Sequence, residues 1–185
     1  RVHQQGFPYN TAQLEASSLR LAGYWLSSAY SGYHYLPRRT NVHSMRILEL
    51  KAMRGPNYWS VKRHNLIVMR LDIEDLEQKP TDKIPGFYER ITSLLPSMYS
   101  HRCSEDHEGG FFERVKRGTW MGHVIEHIAL EIQTLAGMET GFGRTRSTRE
   151  NGVYNVVFSY IEEPVGMYAA KASVRIAEAL ISGAK

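Results

Sequence analysis

Cysteine is almost missing from this chain. A single residue, Cys103, rules out an intrachain disulfide and cannot by itself build a thiolate zinc site. Long apolar runs are missing too. The longest semi-apolar stretch, residues 19–36, carries Arg20, His34, two glycines and several Ser and Tyr, and is too polar for a membrane span. The start lacks the basic residues, apolar run and small-residue cleavage site of a signal peptide. These absences predict a cytoplasmic protein with no membrane partner. A strong excess of one charge is also missing. The formal net charge is +4, and it is unevenly spread. Residues 1–44 hold four Arg (1, 20, 38, 39) against Glu15, whereas residues 45–185 hold 19 basic and 18 acidic side chains. That near balance removes the bulk-charge case for a nucleic-acid partner.

What is present fits one globular domain. The 185 residues are 42% hydrophobic and 23% charged, enough to bury a core without covalent staples. Composition changes at Met45. Before it there is no Lys and no Asp, and five of the eleven Tyr (9, 24, 30, 33, 35) gather there. One weak helical pattern, Ala12 to Leu26, is all the periodicity that segment offers. Residues 1–44 are therefore expected to be an atypical extension, foreign to a domain spanning 45–185.

From Met45 onward the pattern predicts strands over 45–52, 66–73 and 153–161. It predicts helices over 86–95, 111–116, 119–136 and 164–181. Thr119 is a candidate N-cap and Gly137 a C-terminal stop; Pro164 suits a first helical turn. Residues 100–110 and 137–152 read as loops. Strands and helices without strict alternation predict an α+β fold, a small mixed sheet with several helices packed on it.

The helix around residues 119–136 carries the chemistry. At 100° per residue, Met121, Val124, Ile125, Ile128, Ile132 and Leu135 form a core stripe. His123, Glu126, His127, Leu130 and Thr134 gather on roughly the opposite side. His123 and His127 are four apart, so both imidazoles can reach one ion. The pattern H-x-x-E-H is that of an inverted zincin. Neutral imidazoles suit Zn²⁺, and two ligands from one helix leave room for a third and a water. Glu126 is the candidate general base for that water. Three fixed positions in five residues also arise by chance, and a solvated polar face is the competing reading. Spacing leaves the third ligand open among Glu131, Glu162, Glu163, Glu178, Asp106, His107 and Glu108. Glu131 reads as an outer partner or a surface charge, and Cys103 as structural or incidental.

Two further clusters stand out. Arg54, Tyr58 and Trp59 share a compact turn and are candidates for cation–π and charge contacts with a ligand. Arg144 and Arg146, in Gly141-Phe-Gly-Arg-Thr-Arg146, are candidates for pairing substrate carboxylates. A solvated loop is the plain alternative for each. The second cluster lacks Walker spacing and follows a helix, which argues against nucleotide binding.

Many of these segments together resemble one family. Met45-Arg-Ile-Leu, Arg54-Gly-Pro-Asn-Tyr-Trp-Ser60, Leu66-Ile-Val-Met-Arg-Leu-Asp72, Ile84-Pro-Gly-Phe-Tyr88, Gly109-Gly-Phe111, Gly118-Thr-Trp-Met-Gly-His-Val-Ile-Glu-His127, Leu135-Ala-Gly137, Gly141 to Arg146 and Gly152-Val-Tyr154 are similar to the N-terminal domain of cyanophycin synthetases. The likeness covers about residues 45–182. It implies an enzyme that joins Asp and Arg, using ATP, into a polymer with an aspartate backbone and arginine side groups. ATP and Mg would act only in domains absent from this chain. The resemblance also implies a homo-oligomer in the full-length enzyme, the synthetase's remaining domains as partners, and a domain that holds the polymer. In some members this domain also cuts the polymer into primers at a zinc site on the H-x-x-E-H helix, here His123, Glu126 and His127. A purely binding module and a general metallopeptidase remain the alternative readings.

Overall fold

The computed structural model describes residues 45–55, 57, 59 and 65–183, which all fall within the unit Asn41–Lys185. The helical pattern expected over 12–26, and Tyr58, lie outside the described residues. Four strands form one sheet: β1 (Arg46–Met53), β2 (Leu66–Asp72), β3 (Gly143–Ser147) and β4 (Val153–Ser159), in the order β1-β2-β4-β3. Every pairing is antiparallel. Among the described residues there are four α-helices: α1 (Phe87–Leu94), α2 (Gly110–Arg117), α3 (Met121–Leu135) and α4 (Glu163–Ser182). The architecture is the α+β arrangement expected.

Strand alternation sorts the side chains between two faces. Ile67, Met69 and Leu71 of β2 and Tyr154, Val156 and Phe158 of β4 enter the main core, under the helices. Leu66, Val68 and Val157 form a small second cluster on the other face, with Met53, Trp59 and Phe142 packed against it. Helix α3 lies against α4, β3 and β4. Met121, Val124, Ile125, Ile128 and Ala129 on it are fully buried. Each such apolar side chain, alanine excepted, contributes about 1.5–3 kcal/mol of burial free energy.

The sequence reading needs four corrections here. Residues 137–152 are not all loop, because β3 lies inside them. That strand is five residues of mostly polar sequence at the sheet edge, so it has no apolar alternation to reveal it. Leu135 does not belong to the core stripe; it is 64% exposed, because α3 outruns the core at its C-terminal end. Thr119 does not cap α3. Trp120 occupies the cap position, and the Thr119 hydroxyl turns to His123 instead. The polar side of α3 is not a solvated face: Glu126, His127 and Leu130 are buried. Gly137, with φ +78, ends the helix as expected.

Candidate metal centre

His123 and His127 meet tip to tip. Their Nε2 atoms are 3.1 Å apart. Cys103 brings its Sγ to 3.3 Å from the same His123 nitrogen. These three ligand atoms all lie within 4.8 Å of one another. Atoms bound at about 2.0–2.3 Å to one tetrahedral ion sit about 3.3–3.6 Å apart, so the two distances from His123 Nε2 are close to that spacing. Cys103 is held in the left-handed region, φ 55, which costs a non-glycine residue about 1–2 kcal/mol. Strain of this kind concentrates at functional sites.

The sequence reads Cys103 as structural or incidental, whereas the fold places its Sγ in the cluster with His123 and His127. A lone cysteine cannot make an all-thiolate site, but it can complete one with two histidines. It stands in the short 3₁₀ turn Cys103–Glu105, in the loop before α2. Among the described residues, none of the carboxylates weighed as third ligand joins this ligand cluster. Glu131 does not point to solvent either. It is 1% exposed, accepts the Ser97 hydroxyl, and holds His101 Nε2 at 3.0 Å.

The surroundings disfavour protonation of both imidazoles. Burial holds His123 down at about 4, with the Arg114 charge adding to the effect. Burial also lowers His127 well below its ordinary value, helped by His123 and His101. Both rings are therefore neutral at pH 7, the form that ligates metals. Phe111 stacks on His127 at 4.2 Å between centroids and 26° between planes, and meets His123 edge-on at 5.9 Å. The site thus has an apolar wall beside its donors.

Glu126 lines the same cavity as this cluster. Burial lifts its carboxyl to about 7, and the hydrogen bond from Thr145 Oγ1 to its Oε2, 2.6 Å long, pulls the other way. Strand β3 comes so close that a Cβ on Gly143 would overlap Glu126 Oε1. Glycine is needed at 143 for this approach. A cavity of about 550 Å³ opens over the group, lined among others by Cys103, His123, Glu126, His127, Thr145 and Arg144.

The other predicted binding residues divide between the cavity and places outside it. Arg144 lines the cavity and places its guanidinium 5.9 Å from the Phe142 ring. Arg146 is exposed on β3, and Trp59 packs on the second apolar cluster, across the sheet from the main core. Arg54 forms an ion pair with Glu163, at 2.6 and 2.8 Å, at the start of α4. The geometry therefore unites His123, Glu126, His127 and Arg144, and leaves Arg54, Trp59 and Arg146 outside the cavity. Sequence reasoning missed Cys103, His101, Ser97, Thr119 and Thr145. For Glu131 a signal was present: it follows His127 by four, as His127 follows His123, and so continues one helical face.

Fold and site together define a small α+β domain in which an H-x-x-E-H helix brings two histidines together with one cysteine. The chain belongs to the cyanophycin synthase-like N-terminal domain family, whose pattern it matches over residues 68–182. It is 56% identical over 138 residues to a cyanophycin synthetase of Geminocystis herdmanii, covering 75% of this chain and 16% of that protein. Likeness to the cyanophycin synthetase of Crocosphaera subtropica is 56% over 137 residues, 74% of this chain and 16% of the relative. For that of Synechocystis sp. it is 55% over 137 residues, again 74% and 16%. The chain therefore spans about one sixth of the length of these curated relatives. No helix among the described residues is long and apolar enough to cross a membrane.

Proposed function

We propose that residues 45–185 are the N-terminal domain of a cytoplasmic cyanophycin synthetase, and that this domain binds cyanophycin and hydrolyses it to shorter chains that serve as primers. The ATP-dependent joining of Asp and Arg belongs, on this reading, to the other five-sixths of the relatives' length. The observation that carries the hydrolase reading is the convergence of Cys103 Sγ, His123 Nε2 and His127 Nε2 beside a buried carboxyl group.

Those three side chains would hold zinc, which supplies Lewis acidity and brings the pKa of a water towards about 7. The protein's own groups do the rest. Thr145 occupies Glu126 Oε2, which leaves Oε1 to accept a proton from the attacking water. The same oxygen returns that proton to the departing amide nitrogen. Phe111 and the buried flank of α3 keep bulk water from the donors. Arg144, at the cavity's edge, suits a carboxylate on the polymer's arginine side groups.

The test is incubation of the purified chain with cyanophycin and zinc, with and without chelator, beside Glu126→Gln. Zinc-dependent release of shorter chains is expected, falling at least about 100-fold in the variant. Release of nothing by the zinc-loaded wild type would leave a module that only binds polymer. Cleavage of unrelated peptides would point to a general metallopeptidase.

A further inference from the structure

Glu131 has no part in the reaction just described, yet it is among the most deeply buried polar residues of α3. It ends a chain of hydrogen bonds that leads to the ligand cluster. Glu131 Oε2 lies 3.0 Å from His101 Nε2. The other nitrogen of His101, Nδ1, lies 3.0 Å from His127 Nδ1. The far side of the His127 ring, Nε2, is the atom that faces His123 and Cys103.

We infer that Glu131 and His101 are positioning residues that fix the tautomer of His127, so that its Nε2 presents a lone pair to a metal. This inference rests on the zinc reading above. The protons follow from the chemistry of each group. Ser97 donates to one oxygen of the carboxylate, and the other faces His101 Nε2 as an acceptor, so His101 carries its proton on Nε2 and gives that N–H to Glu131. Its Nδ1 is then bare and must accept. The donor to it is His127 Nδ1–H, which leaves His127 Nε2 without a proton. The acceptor-only end of the chain thus sets the direction of both bonds. Buried metal ligands are commonly oriented by such outer partners, often a carboxylate. Here the carboxylate acts through an intervening imidazole. The Ser97 hydroxyl, donating to Oε1, helps hold the carboxylate in place.

A glutamine at position 131 keeps the shape and loses the direction. Its amide can donate to His101 Nε2, which would turn both bonds round and put a proton on His127 Nε2. The full chain, ¹⁵N-labelled and metal-free, reports the protonated nitrogen of His127 in long-range ¹⁵N–¹H spectra. We expect His127 to be protonated at Nδ1 in the wild type, and to be a mixture of tautomers in Glu131→Gln. Titration with zinc alone, in competition with a chromophoric chelator, should show the variant binding about 10- to 100-fold more weakly. A wild-type His127 protonated mainly at Nε2 would overturn the inference, as would unchanged zinc affinity in a folded Glu131→Gln. If the variant does not fold, the wild-type tautomer still decides. A chain with the Nδ1–H tautomer that cuts no polymer loses the hydrolase reading and keeps the relay. A chain that cuts polymer with the other tautomer loses the relay alone.

Discussion

The two faces of the sheet treat their polar side chains in opposite ways. On the helix side each polar group of the site is held by another: Thr119 by His123, Thr145 by Glu126, and Ser97 by Glu131, His101 and His127 in turn. On the other side Arg144 and Arg146 stand exposed on the edge strand. The first arrangement fixes donor atoms to a fraction of an ångström, as metal and proton chemistry need. The second leaves two long side chains exposed to solvent, where they can adapt to what they meet. The difference teaches that one small domain can keep a cross-braced polar cluster on one face and exposed arginines on the other.

The sharpest way to break this division is to remove a ligand. His127→Ala or Cys103→Ala should abolish retention of zinc through gel filtration, while Arg146→Ala retains it fully. Metal analysis of the three proteins reads the outcome. Zinc retained by both ligand variants would place the metal elsewhere and erase the contrast. Next in size comes Gly143→Ala. The new methyl meets Glu126 Oε1, so β3 must move or the carboxylate must turn. A loss of about 1–3 kcal/mol is expected from such overpacking, visible in urea unfolding. Polymer cleavage should fall with it while zinc affinity holds, because no ligand is touched.

Much of the fold was legible in the sequence, and the reason is periodicity in the helices and apolar runs in the strands. Strands β1, β2 and β4 and the four helices were expected within a few residues of their places, since the helices carry apolar residues at helical spacing and β2 and β4 are runs rich in β-branched and aromatic residues. Strand β3 was not, because Gly-Arg-Thr-Arg-Ser has no apolar alternation and is a strand only by pairing with β4. The site divided in the same way. His123, Glu126 and His127 share one helix, where spacing predicts proximity. Cys103 is 20 residues from its nearest ligand partner, and His101 is 26 from His127. Only the packing of the loop before α2 against α3 brings them together, and no local pattern encodes that.

On the arginine face a smaller effect is expected. Arg144→Ala and Arg146→Ala should each weaken retention on immobilised cyanophycin by about 0.5–1 kcal/mol, the range of exposed charge pairs, or a few-fold in affinity. Zinc affinity should not move. Arg144 sharpens the comparison, because it also borders the cavity. Its variant should slow cleavage of polymer, and Arg146→Ala should not. Equal effects of both on cleavage would merge the two faces into one binding surface.

The smallest effect lies away from both, at the start of β1 and the end of β2. Asp72 accepts the Glu74 backbone N–H at 3.0 Å and the Arg46 guanidinium at 2.7 Å. These bonds, the backbone one first, hold its carboxyl below the ordinary value. A carboxyl lowered in the folded state gives stability that is complete above its unfolded value and is lost as pH falls through the folded one. Asp72→Asn gives up that contribution. Arg46 is 62% exposed, so the loss at neutral pH should stay below about 1 kcal/mol. The gap between variant and wild type should be widest at pH 7 and close as pH drops below about 4. Urea midpoints across that range measure it. Zinc affinity at pH 7 should be the same in both proteins, since Asp72 touches no residue of the ligand cluster or its hydrogen-bonded partners. A shift in zinc affinity would mean that the sheet's far end is coupled to α3, and that the division between faces is not a division in energy.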